Sequence, residues 1–247
     1  MDRSEMPKEH IVQQGEHLSS IAALEGFGDF HVIWNHPDNA SLKAIRDPHV
    51  LFPGDILTIP DRQEKQERRA TDDTHVFQAD VPPLFLRCKL IDVDGVEMKG
   101  TPCDVALESG KPAEPVEPAD DQGIVEKRMG RVVKQGELIA HLEKPDPTDV
   151  KFDLRIGSLN PETKISGQQA RFNNLGYFAG YSVKDLDQLL WAAEEFECDH
   201  IAKPAKRPTI VAAPPEGEED PATNDTQGKT GVQEDKIVKK LLAVHGM

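Results

Sequence analysis

The pattern of apolar and polar positions changes character three times along the chain. "HIVQQG", His10 to Gly15, has a β-favouring centre and stops at a glycine, which predicts a short strand. "EHLSSIAALEGFG" follows with Leu18, Ile21, Ala22 and Glu25 at helical spacing. Leu18, Ile21 and Ala22 share one apolar face, and Gly26 and Gly28 stop the helix. "FHVIWNHPDN" adds an apolar turn through Phe30, Ile33 and Trp34 until Pro37 intervenes, and "SLKAIRD" a further short helical stretch before Pro48. In "VLFPGDILTIP", Pro53-Gly54 predicts a turn and Ile56 to Ile59 a strand closed by Pro60. The order over residues 9–60 is strand, helix, helix, strand.

From about residue 75 to 157 the period drops to two. Leu84, Leu86, Cys88 and Leu90 face one way, and Phe85, Arg87, Lys89 and Ile91 the other, with a turn at Asp94-Gly95. Cys103, Val105 and Leu107 repeat the alternation, "ADDQGIVEKRM" reads as a turn and a strand, and "GELIAHLE" and "DVKFDLRIG" supply two more. At least five short strands separated by turns predict an antiparallel β-sandwich. Between the two segments, "DRQEKQERRATDD" carries charge without apolar periodicity and reads as a linker over residues 61–74.

Residues 160–246 return to helical periodicity. Gln168, Phe172 and Leu175 lie at helical spacing before Gly176. "SVKDLDQLLWAAEEFECDH" predicts a helix capped by Ser182, with Val183, Leu186, Leu190, Ala193 and Phe196 on its apolar face and Asp185 and Asp187 in its first turn. "TGVQEDKIVKKLLAVHG" predicts a last helix burying Val238, Leu241 and Leu242 and ending at Gly246. The Pro- and acid-rich stretch between them is expected to be a mobile insertion over about residues 203–229. The fold class expected is thus α+β and multidomain.

Composition narrows the function. In 247 residues, 29 Lys and Arg face 44 Asp and Glu, a net charge of −15 that repels nucleic acid and anionic membrane surfaces. No window is apolar for long enough to span a bilayer, and the polar "MDRSEMPKEH" lacks the apolar core of a secretory leader. Cys88, Cys103 and Cys198 are odd in number and lack metal-ligand spacing, so buried reduced thiols and synthesis in the cytosol are the expectation.

At this point the residues resemble a known family. "V-x-x-G-[DE]-x-L-x-x-I-A" near Val12 and "L-x-P-G-D-x-L-x-I-P" from Leu51 to Pro60 look like the two ends of a LysM (lysin motif) domain. Glu16 stands where Asp or Asn is more usual, which removes the better N-cap of the first helix, and the middle of the segment is longer than in a minimal member. The resemblance implies binding of N-acetylglucosamine-containing glycan, peptidoglycan or chitin, in a shallow groove between two loops. Here those loops are Gly15, Glu16, His17 and Leu18, and Leu51, Phe52, Pro53, Gly54, Asp55 and Ile56. Glycines would let backbone groups approach an acetamido group, with Leu18, Phe52 and Ile56 against its methyl. Equally, the same residues would close the fold whatever binds. Trp34 shares its face with Phe30 and Ile33 and is expected in the core rather than on a sugar.

Two further resemblances are looser. "L-x-D-x-D-G-x-x-x-x-G-x-P-x-x-V-x-L" is similar to transthyretin-like or carboxypeptidase-regulatory-like sandwiches, which serve as spacers or docking surfaces. "Q-x-R-x-N-N-L-G-Y-x-x-G" with "T-G-V-x-x-x-x-x-x-x-K-L-L-x-x-H-G" resembles a three-helix peptidoglycan-binding domain split by an insertion, although the usual Gly-rich turn between its first helices is replaced by "YSVKDLDQ". The order of these modules, with "IGSLNPETKISGQQARFNNLGYFAG", resembles accessory proteins of contractile injection machines, notably type VI secretion. Such a machine would carry a protein without a leader to the cell wall.

Candidate chemistry is sparse. G-x-S-x-G, HExxH, P-loop and dinucleotide fingerprints do not occur, so no catalytic residue and no cofactor is assigned. His31, His36 and His49 fall on separate short elements without a ligand pattern, and Asp92, Asp94, Asp120 and Asp121 lack the remaining oxygens of a calcium loop, so no metal site is assigned. The expectation is a non-catalytic adaptor binding peptidoglycan. The alternatives are an assembly protein of a contractile machine, contacting its spike or baseplate proteins, or a cargo of that machine.

Overall fold

The computed structural model describes residues 8–62, 68–71, 73–76, 81–92, 94–108, 112–143, 147–201, 208–211 and 231–245. Over these residues the chain is α+β, with antiparallel sheets and six α-helices. Residues 1–7, part of the expected linker and nearly all of the expected insertion lie outside them. Cα proximity divides the chain into two units, Met1–Ala44 with Ile56–Ser158, and Ile45–Asp55 with Leu159–Met247.

The first unit opens with β1 (Lys8–Ile11), α1 (Leu18–Leu24), α2 (His31–Trp34), a single 3-10 turn (Pro37–Asn39), α3 (Ala40–Lys43) and β2 (Ile56–Ile59). β1 and β2 pair antiparallel, Lys8 opposite Ile59 and Ile11 opposite Ile56. The strand lies earlier than "HIVQQG" predicts, because the chain already turns at Gln13, whose carbonyl accepts the Glu16 N–H at 3.0 Å. Leu18, Ile21, Ala22, Ile33, Trp34, Leu57 and Ile59 are buried, as the helical face and the alternation of β2 require. Each such large side chain stabilises the fold by roughly 1.5–3 kcal/mol relative to an exposed position. Asn39 is the polar strut of this segment. Its Nδ2 donates to the carbonyls of Ile33 (2.8 Å) and Thr58 (2.9 Å), and its Oδ1 accepts the Thr58 N–H (2.8 Å). A fully satisfied buried amide fixes the helical turns against β2.

Six strands follow in the same unit. β3 (Leu84–Lys89) pairs with β6 (Ile124–Met129); β5 (Glu114–Val116), β4 (Cys103–Leu107), β7 (Gln135–Leu142) and β8 (Thr148–Arg155) form a four-stranded sheet in that order. Inward residues of both sheets share one core containing Leu90, Cys103, Val105, Ala119, Val125, Leu138 and Ala140. The two corners are made by one device used twice. Asp92 Oδ1 accepts the N–H groups of Asp94 and Val96, both at 2.9 Å, and Asp120 Oδ1 those of Gln122 and Ile124, both at 2.8 Å. These aspartates make Asx-type turns, with Gly95 and Gly123 three residues after each. At Gly123 a Cβ would stand 2.6 Å from the Leu90 carbonyl oxygen, so only glycine fits.

The second unit holds α4 (Ile165–Asn174), α5 (Leu186–His200), the short antiparallel pair β9 (Ile210–Val211) and β10 (Gly231–Val232), and α6 (Asp235–His245). Its core joins Ile165, Phe172, Ala179, Leu189, Ala192, Ala193, Phe196, Val232, Ile237 and Leu241. Phe172 and Tyr177 each meet Phe196 edge-on at 5.5 Å. Gln168 ties α4 to β10, its Oε1 accepting the Val232 N–H at 2.7 Å and its Nε2 donating to the Val232 carbonyl at 3.1 Å.

Four expectations for this unit are corrected. α5 starts at Leu186 with Asp185, not Ser182, as its N-cap residue; Asp185 Oδ2 instead accepts the N–H groups of Tyr181 and Ser182, both at 2.9 Å. Val183 therefore precedes the helix and is 42% exposed; within the helix Leu189 and Ala192 are buried, and Leu190 is half-buried. On α6, Ile237 and Leu241 are buried, while Val238 and Leu242 are only half-buried. Ile210 and Val211, read as part of the insertion, form a strand. Cys198 is exposed on α5, whereas Cys103 is buried and Cys88 half-buried.

Candidate functional site

The first loop, Gly15 to Leu18, is shaped by backbone conformation and by what lies against it. Gly15 is buried with φ +83°. His17, not Glu16, is the N-cap residue of α1; its N–H donates to Ser20 Oγ at 3.0 Å, and its carbonyl accepts from the Ser20 N–H at 2.8 Å. Glu16 serves the preceding turn instead. Its Oε2 accepts the Gln13 N–H at 2.9 Å and lies 2.8 Å from His10 Nε2. Burial alone would raise its carboxyl, but the Gln13 N–H, the His10 ring and the nearby Lys134 together hold it below its ordinary value.

Leu18 is only 2% exposed and belongs to the core, which removes it from the set of side chains that can reach a ligand. The rest of the loop is also engaged within this unit. A Cβ at Gly157 would stand 3.0 Å from both the Gly15 carbonyl oxygen and the His17 ring, and Gln14 Nε2 donates to the Ser158 carbonyl at 3.3 Å. Burial, then the charge of Lys134, hold the His17 imidazole below its ordinary pKa, so it is neutral at pH 7; its Nε2 is buried without a hydrogen-bond partner.

The second loop is a locked turn. Gly54 has φ +98°, a left-handed conformation that an L side chain adopts only with strain. Asp55 is 6% exposed, and its Oδ2 accepts the Phe52 N–H at 2.8 Å. Arg46 clamps the same carboxylate with Nε at 3.0 Å and Nη2 at 3.2 Å. Cations also cover the Phe52 ring, Lys164 Nζ at 5.3 Å and the Arg46 guanidinium at 5.8 Å from its centroid. Leu51 is buried; Pro53 and Gly54 are half-buried. Ile56, on β2 in the first unit, is 43% exposed beside Ile11, its 61% exposed partner across the strand pair. What this loop and strand offer a ligand is peptide groups at Pro53-Gly54 and an apolar edge at Ile56.

Sequence reasoning missed Arg46, Lys134, Gly157 and Lys164, all outside the loops. Arg46 had a signal, a cation a few residues before a Pro-Gly-Asp turn, but the others come from distant segments. Of the remaining candidates, Trp34 is in the core, 6% exposed. His31 Nδ1 lies 2.8 Å from Asp29 Oδ1, and His36 Nδ1 3.7 Å from Asp38 Oδ2. Among the described residues no group of three His, Cys, Asp or Glu side chains is placed to hold a metal ion, and no helix is long and apolar enough to cross a membrane. No protein-family model, curated protein or solved structure matches the chain.

Proposed function

We propose that this chain is a non-catalytic adaptor that binds N-acetylglucosamine-containing glycan, peptidoglycan above all, and works with a bacterial contractile injection apparatus of the type VI secretion kind. In the finer fold reading that accompanies it, residues 9–60 are LysM-like, 75–157 a transthyretin-like sandwich, and 160–246 a peptidoglycan-binding-like helical domain. The observation that carries the proposal is the locked turn at Phe52–Asp55, with the β2 edge that follows it. A turn held by Arg46 and Asp55 presents peptide groups in one conformation, so little conformational entropy is lost when a sugar docks. Such a surface binds; it does not move protons. Made in the cytosol, the protein would reach the wall through the machine, with spike or baseplate proteins as further partners.

One observation favours a second reading, an assembly protein that binds only protein partners. The loop Gly15–His17 already packs against Gly157, and Leu18 is core. Co-sedimentation with purified insoluble peptidoglycan separates the two. The first reading expects the wild type in the pellet and Ile56→Arg depleted from it. Wild type left in the supernatant would favour the second, to be followed by pull-down against spike and baseplate components.

A further inference from the structure

We infer that Cys88 and Cys103 form a redox lock, in which oxidation joins the two thiols as a disulfide tying the β3–β6 pair to the four-stranded sheet. The inference does not depend on the glycan reading. On β3 the alternation turns Leu84, Leu86 and Cys88 inward and Phe85, Arg87 and Lys89 outward, with Cys88 in register with Val125. Cys103 starts β4, is 2% exposed, and stands in register with Ala140 on one side and Val116 on the other. Cys88 packs against the same core cluster that contains Cys103, Val125 and Ala140. Each thiol also senses its surroundings: burial first, then Cys103, pushes the Cys88 thiol up to about 11, and burial raises Cys103 as well. Two inward-facing thiols, one from each sheet and both in one small core, are the pair that a disulfide between the sheets would join.

The step is exchange with a small-molecule disulfide such as oxidised glutathione. The thiolate of one cysteine attacks a sulfur of the reagent, expelling one glutathione thiolate, which takes up the proton. The second cysteine then attacks the protein sulfur of the mixed disulfide and expels the other. Two protein thiols are oxidised, and one reagent disulfide is reduced to two thiols. With a thiol near 11, only about one molecule in ten thousand carries the Cys88 thiolate at neutral pH, so the folded chain reacts slowly and the bond closes fastest as the sheets assemble. Cys198, exposed on α5, is the internal control.

The test is oxidative refolding of the full chain with a glutathione couple, alkylation under denaturing conditions and peptide mapping by mass spectrometry. The expected result is a Cys88–Cys103 linked peptide pair, Cys198 absent from any intramolecular link, and a Tm raised by several degrees until dithiothreitol is added. Cys88→Ala and Cys103→Ala should each abolish the link and the rise in Tm. Should one variant fail to fold, the wild-type peptide map still decides. Full alkylation of Cys88 and Cys103 in a chain shown to be folded by circular dichroism, or a link from either to Cys198, would overturn the proposal.

Discussion

Arg46 and Asp55 meet through two hydrogen bonds, Nε to Oδ2 at 3.0 Å and Nη2 to Oδ1 at 3.2 Å, with 4% of either side chain exposed. The carboxylate of the Pro-Gly-Asp turn is thus already satisfied twice over, by a guanidinium and by the Phe52 N–H. It shapes the turn and does not remain available to a ligand. Under the proposed glycan reading, what the turn would offer a sugar is therefore its peptide groups and its rigidity.

Asp55→Ala should destabilise the fold by about 3 kcal/mol, because it removes the acceptor of two buried guanidinium hydrogen bonds and of the Phe52 N–H. Asp55→Asn keeps an acceptor and should cost less. Urea denaturation followed by circular dichroism measures both; a loss below about 1 kcal/mol for the alanine variant would mean the pair is solvated.

Gly54→Ala should cost about 1–2 kcal/mol, since φ +98° puts any Cβ in strain. Ile56→Arg, at a position 43% exposed, should leave stability within about 0.5 kcal/mol. Ile56→Arg therefore probes binding with the fold intact, whereas substitutions at Gly54 or the buried Leu18 probe the fold first. Thermal melts of the two variants under one condition decide this, and equal losses would contradict it.

His141 bridges three strands, its Nδ1 2.7 Å from Asp149 Oδ1 and its Nε2 3.3 Å from Asp104 Oδ2. Both ring nitrogens can donate only in the imidazolium, and Asp149 first, then Asp104, raise its pKa above the ordinary value near 6.5. A group whose folded pKa is raised stabilises fully below its unfolded pKa and loses that contribution as pH rises through the folded value. Proton NMR titration should place the His141 midpoint above that of His141 in the urea-unfolded chain, and Asp149→Asn should return it most of the way.

His245 has the opposite sign. Burial, then the charge of Arg171, push its imidazole down to about 4, and Asn174 Nδ2 lies 3.0 Å from Nε2, so the neutral ring accepts that hydrogen bond. Its contribution is present above the unfolded value near 6.5 and is lost as pH falls toward about 4, where the unfolded chain takes up the proton first. Allowing for solvent screening of a partly exposed ring, the loss should be on the order of 2 kcal/mol. Urea midpoints of the wild type and His245→Gln across this range should converge at the acid end; parallel curves would show that His245 does not titrate there.

Strand faces were legible in the sequence because a period of two survives any error in where a strand begins. Leu84, Leu86 and Cys88 against Phe85, Arg87 and Lys89 is the clearest case. Helix faces were less so. At α5 the start at Leu186 leaves Val183 outside the helix, and the buried stripe runs through Leu189, Ala192, Ala193 and Phe196, one position off the expected Leu190. β5 was missed because Glu-Pro-Val is three residues long and carries a proline, and β9 and β10 because two-residue strands have no period. In the candidate site the local turn chemistry was legible, Gly54 above all. The covering of Gly15–His17 by Gly157 was not, since nothing local in either stretch encodes an approach between residues so far apart.

The most direct test of the account is an amide NMR titration of the full chain with a chitooligosaccharide. Shifts are expected at Gly54, Asp55 and Ile56, and are abolished in Ile56→Arg. The absence of shifts at millimolar sugar, or shifts confined to residues 165–245, would contradict it.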